Sequence, residues 1–315
     1  MTAKRYAPIV AVCGFGLLGL GGCGDDSPTT PMSGSNLDPG GGSTPLPTES
    51  IAFTSRRDGG QRDIFLINTD GSEVTNLTRN AAEDFSPAWS PDGARLAFVS
   101  DRDGADNIYV MNADGSDIAQ LTDVATRDFD PSWAPKGDRL AFASNRDGDY
   151  EIYVMDADGS NVTRLTTSPD IDSGPSWSPD GTRILFDSVR TGDHDVWVMN
   201  ADGSGAENLS NAPGTDAQPS WSPDGTQISF ATDRHASFFA NVEVYLMNAD
   251  GSSQRRLTNV SDNDFDPSFS NAGSHIVFSS RRRGNSDIFI MTTDGGEVRA
   301  VTTATAADYE PVFRP

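Results

Sequence analysis

The sequence predicts an all-β chain, a six-bladed β-propeller of four-stranded antiparallel blades, closed by one C-terminal strand that joins three N-terminal strands. Three observations predict it. The signature Pro175-Ser-Trp-Ser-Pro-Asp-Gly181 returns around Trp89, Trp133 and Trp221, and around Phe269 and Phe313 with Phe in place of Trp, at spacings of 44, 44, 44, 48 and 44 residues. A period of that size marks one supersecondary unit copied many times, none of which buries its apolar face alone. Each unit reads as four short strands joined by turns rich in Gly, Pro, Asp and Asn, which is the pattern of an antiparallel meander. The ends of the repeat region carry complementary fragments of the unit.

In chain order, residues 1–22 read as a targeting segment. Lys4 and Arg5 form a basic head, Ala7 to Leu20 is apolar but short for a membrane span, and Leu20-Gly-Gly-Cys23 closes it. This resembles the lipobox of bacterial lipoproteins, which implies cleavage before Cys23 and lipidation there. The other cysteine, Cys13, lies in the part removed, so no disulfide is expected even in an oxidising compartment. Gly24 after the lipidated cysteine implies, by the same resemblance, the outer membrane facing the periplasm. Residues 23–50 are rich in Gly, Ser, Pro and Thr and read as a disordered tether.

The folded domain is expected over residues 51–315. Ile51-Ala-Phe53, Asp63 to Asn68 and Val74 to Thr78 match the second, third and fourth strands of the unit, while Tyr309-Glu-Pro-Val-Phe313 matches a first strand. Pairing these fragments makes the sixth blade and leaves no free sheet edge. The clearest full copy has strands at Ser132 to Ala134, Arg139 to Ala143, Glu151 to Met155 and Val162 to Thr166. Third strands are apolar throughout, as at Ile152 to Met155, which predicts cover on both faces.

The run Pro-Ser-Trp-Ser-Pro-Asp-Gly, Ile/Leu-x-Phe, Ser-x-Arg-Asp-Gly, Ile-Tyr-Val-Met-Asn-Ala-Asp-Gly and Leu-Thr resembles the WD40-like, PD40-type repeat of TolB-like propellers. That resemblance covers the repeat region and implies a periplasmic interaction platform whose partners include a peptidoglycan-associated lipoprotein. No counterpart of that family's N-terminal α/β domain is expected in residues 1–50, which read as targeting segment and tether.

Polar residues recur in every copy. Asp84, Asp128, Asp172, Asp216, Asp264 and Asp308 precede the first-strand proline by three places, and Arg57, Arg102, Arg146, Arg190, Arg234 and Arg282 follow the second strand. Both sets fall on one face of a blade wheel, and their presence in all copies points to charge-assisted bracing. The Asp-Gly turns read as ordinary turn chemistry, Gly supplying positive φ. Function is sought where copies differ. Just before the proline stand Ser86, Asp130, Gly174, Gln218, Asp266 and Glu310, so Asp264, Asp266, Asp308 and Glu310 are candidate ligands for Ca²⁺ at a channel mouth. The fifth copy has a loop four residues longer than the others, with Phe238 and Phe239, and the sixth has Arg281, Arg282 and Arg283. These are candidate partner contacts on the same face.

The net charge of −23, with 46 acidic against 23 basic residues, excludes a body that binds nucleic-acid phosphates or anionic lipid. Membrane association is expected only through the lipid. No Gly-x-Ser-x-Gly elbow, His-Glu-x-x-His pair or phosphate-cradling loop occurs, and the three histidines, His194, His235 and His275, fall in different units. The sequence therefore predicts a lipid-anchored, monomeric envelope propeller that binds protein partners rather than an enzyme. The alternatives are a channel-based hydrolase or lyase, for which bound metal at His194 or His235 would speak, and a structural envelope protein without a discrete ligand.

Overall fold

A computed structural model describes residues 49–235 and 241–315. The expected signal peptide, Cys23, the expected tether up to residue 48, and Phe238 and Phe239 all lie outside the described residues. The described chain forms six four-stranded antiparallel sheets and no helix. Numbering blades from the chain start, the third comprises Asp128–Trp133, Arg139–Ser144, Glu151–Asp156 and Thr163–Arg164.

The first blade is the composite one. Asp308–Phe313 pairs with Ser50–Ser55, followed by Asp63–Asn68 and Thr75–Asn76. Ile51 lies opposite Phe313 and Ser55 opposite Asp308, so the strand begins at Ser50, one residue before the expected start. The first strand of every blade lies against the first strands of both neighbours, all the way round. The wheel is closed and its axis is lined by first strands.

The core sits between blades. Phe53, Phe98, Phe142, Phe186, Phe230 and Phe278, the same position of each second strand, are fully buried, each worth about 2–3 kcal/mol relative to exposure. At the closure, Ile51, Phe53 and Phe313 pack against Val277, Ile288 and Ile290 of the sixth blade. The third strands are covered on both faces, as Ile152 to Met155 shows.

Fourth strands are shorter than the sequence suggests, two residues each. The reason lies in the Leu-Thr motif. Thr166 Oγ1 accepts the Ile152 N–H at 2.9 Å, and Thr78, Thr122, Ser210, Thr258 and Thr302 do the same in the other blades. A side-chain hydroxyl replaces the main-chain ladder and ends the exposed edge early. The Asp-Gly turn then docks on the previous blade: a β-carbon at Gly159, where φ is +85°, would sit 2.5 Å from Leu121 O.

Candidate functional site: the acidic central channel

Each first strand is bent by a bulge two residues after its leading aspartate. The register shifts there in every blade, because the following proline has no N–H for the ladder and disfavours helical geometry before it. The pre-proline residues all take positive φ: Ser86 51°, Asp130 52°, Gly174 60°, Gln218 56°, Asp266 54° and Glu310 52°. Five of these six are not glycine, and left-handed backbone at non-glycine residues is held only where surrounding structure enforces it, often at functional sites. The bulge aims these side chains at the axis.

The six repeated Asp–Arg sets form ion pairs within their own blades. The Arg Nη2 to Asp distances are 2.7 Å for Arg57–Asp308, 3.0 Å for Arg102–Asp84, 2.9 Å for Arg146–Asp128, 2.6 Å for Arg190–Asp172, 2.8 Å for Arg234–Asp216 and 2.8 Å for Arg282–Asp264. Each Arg Nε also donates to the hydroxyl two residues earlier, as Arg146 does to Ser144 Oγ at 2.9 Å. The guanidinium stacks on the aromatic residues of the second and third strands, as Arg146 does over Phe142 and Tyr153 at 5.2 and 5.0 Å. These groups brace the blades.

The structure joins Asp266 to Glu310, whose N–H donates to Asp266 Oδ2 at 3.3 Å, and commits Asp264 and Asp308 to arginines. The four candidate Ca²⁺ carboxylates thus do not offer one ligand set. Among the described residues no group of three or more His, Cys, Asp or Glu is arranged to hold a metal ion. Arg282 is committed to Asp264, Arg281 lies 5.9 Å over the Phe265 ring, and Arg283 is exposed.

The pre-proline residues are linked into an arc. Ser86 Oγ lies 3.3 Å from both Asp130 Oδ1 and Glu310 Oε1, and Ser86 N–H donates to Glu310 Oε2 at 2.8 Å. Thr54 Oγ1 donates to Glu310 Oε2 at 2.7 Å, Ser279 Oγ to Asp266 Oδ2 at 2.8 Å, and Gln218 Nε2 to Asp266. The arc is interrupted at Gly174. There Asp187, from the adjacent second strand, fills the space: Gly174 has no Cβ, and one would lie 2.5 Å from Asp187 Oδ1. Ser173 Oγ donates to Asp187 Oδ2 at 2.7 Å, and His194 Nδ1 stands 3.7 Å from the same oxygen. Asp187 and Ser173 escaped the sequence reading. Their signal was available, since blade four alone combines glycine at the ring with a carboxylate in its second strand.

Burial, then the charge of Glu310 and Asp187, pushes the Asp130 carboxyl up to about 8. Burial and Glu310 push Asp266 up to about 7. Among the described residues no Lys or Arg side chain pairs with Asp130, Asp187, Asp266 or Glu310. At the second position of the first strands stand Phe85, Phe129, Phe265 and Tyr309, with the smaller Ser173 and Ala217 in blades four and five. Although Ser173, Asp187 and His194 are a nucleophile, acid and base by type, the hydroxyl donates to the carboxylate and the imidazole Nδ1 has no partner. The imidazole does not take the hydroxyl proton, as it would in a Ser-His-Asp triad.

The fold and its channel define a repeat-built propeller whose copies are uniform in their bracing and individual along the axis. The TolB beta propeller domain model matches residues 43–128, 120–239 and 204–315, and the chain belongs to that family. It is 37% identical over 73 residues to the Protein TolB homolog of Chlorobium luteolum, covering 23% of this chain and 16% of that protein. It is 42% identical over 50 residues to the Tol-Pal system protein TolB of Actinobacillus succinogenes, covering 16% of this chain and 12% of that protein. The matches thus span less than a fifth of either relative. The crystal structure of TolB from Acinetobacter baumannii superposes with a TM-score of 0.74 at 24% identity, over 85% of this chain and 67% of that one, a likeness of fold.

Proposed function

We propose that this propeller is a lipid-anchored protein-binding platform of the bacterial envelope, and that its partner docks on the channel mouth. One observation carries the reading: the copies repeat their bracing residues and differ at the ring of Ser86, Asp130, Gly174, Gln218, Asp266 and Glu310. Variation at the axis of a repeated scaffold is where a specific ligand is read. The name of the Actinobacillus relative places that protein in a Tol-Pal system, which supports an envelope setting for this chain, and the lipobox-like segment before Cys23 supports the anchor. The acidic body favours a partner with basic groups.

Metabolic labelling with a clickable palmitate analogue tests the anchor: the chain takes up label and Cys23→Ser does not. Cross-linking in the native envelope tests the platform. Partner capture falls for the Phe238→Ala, Phe239→Ala double variant; unchanged capture removes that loop from the docking surface.

A further inference from the structure

The ring leaves part-buried acidic groups, and the buried Asp187, with no Arg or Lys paired to them among the described residues, and its geometry restricts what supplies a counter-charge. Asp130, Glu310 and Asp266 follow one another along the hydrogen-bonded arc, linked through Ser86 and through the Glu310 N–H, while Asp187 closes the circle from blade four. No three of these carboxylates converge on a point suited to a metal ion. A cation with several spread donors meets them better than a single sphere does. A guanidinium has five N–H donors in a plane.

A second observation, independent of the acidic groups, points to the same place. His194 is 6% exposed and its Nδ1 has no hydrogen-bond partner, yet it faces Asp187 Oδ2 at 3.7 Å. A buried imidazole nitrogen left unpaired costs about 1–3 kcal/mol. With the ring proton on Nε2, this nitrogen is an acceptor beside Asp187, ready for one more N–H. The second position of the first strands in blades four and five holds the small Ser173 and Ala217, where the other blades have Phe or Tyr. The ring residues Ser86, Asp130, Gln218, Asp266 and Glu310 are part-buried.

We propose that the channel receives the guanidinium of an arginine side chain presented by a protein partner, held by Asp187 and His194 on one side and by Asp130 and Glu310 on the other. This rests on reading the channel mouth as the docking face, but the model compounds below need no partner, so the two fail separately.

The probes are N-acetyl-arginine amide, its citrulline counterpart, which has the same shape without the charge, and calcium chloride alone. Each is added at millimolar concentration to the full chain, and the unfolding midpoint is followed, since a ligand bound only to the folded state raises it. The arginine compound raises the midpoint and the citrulline compound does not. Calorimetric titration of Asp187→Asn and, separately, His194→Gln gives arginine-compound affinity weaker by about tenfold, one lost charge-assisted contact. Equal responses to the arginine and citrulline compounds overturn the proposal. So does a response to calcium with none to arginine. The comparison of probes on the unmodified chain holds even where a variant does not fold.

Discussion

At Gly174 the left-handed backbone and the absent side chain act together, because a β-carbon there would lie 2.5 Å from Asp187 Oδ1. Blade three has the opposite arrangement, Asp130 on the first strand and Ala143 at the second-strand position equivalent to Asp187. A carboxylate therefore reaches the axis in both blades by different routes. Gly174→Asp alone puts two carboxylates in one space and costs about 2–4 kcal/mol, from overlap, like charge and positive φ. Adding Asp187→Ala recreates the blade-three pattern and restores most of that loss. Urea unfolding midpoints decide it: a double variant no more stable than the single one refutes the exchange. The ring positions were legible in the sequence, because a proline at fixed offset marks each of them. Asp187 was not, because it stands in an otherwise apolar strand and acts only through the glycine opposite.

Between blades, an arginine at the start of one second strand stacks on the tryptophan that ends the next first strand. The distances are 4.8 Å for Arg95 over Trp133, 5.1 Å for Arg139 over Trp177 and 4.7 Å for Arg183 over Trp221. At the closure the equivalent residue is Ser50, and Arg314 lies over Trp89 at 5.1 Å in its place. Where the arginine is replaced by Gln227 or His275, the partner is Phe269 or Phe313. The pair is kept or lost as a unit, as expected if the cation–π contact is what tryptophan serves. A double-mutant cycle with Arg139→Gln and Trp177→Phe gives a coupling of about 0.5–1 kcal/mol in unfolding free energy. Additivity within about 0.3 kcal/mol contradicts this reading. The four-strand unit was legible from turn residues and apolar alternation. The early end of the fourth strand was not, because Leu-Thr reads as strand until the threonine hydroxyl is seen taking the backbone bond.

As a whole the molecule is a wheel whose last strand is stitched to its first, Ile51 opposite Phe313, and that closure followed from two complementary fragments of a counted repeat. The sequence reached less far toward function. Its period fixes how many blades there are, while the channel is made by groups from neighbouring blades that no single copy contains. The wheel has two unlike ends. One carries the loops between second and third strands and the Asp–Arg braces, with the ring just below. The other carries the Asp-Gly turns, whose carboxylates bond their own loops, as Asp158 does to the Ser160 N–H at 2.9 Å. Those carboxyls are held below their ordinary range by such bonds and repeat with little variation. Binding is therefore expected at the first end alone.

Placing a photo-cross-linking amino acid at Tyr150, which packs against Phe129 before the third strand of blade three, and separately at Asp158, on the opposite turns, tests this in the native envelope. The account predicts one discrete partner band captured from position 150 and none from position 158. Capture from position 158 with none from position 150 would contradict it.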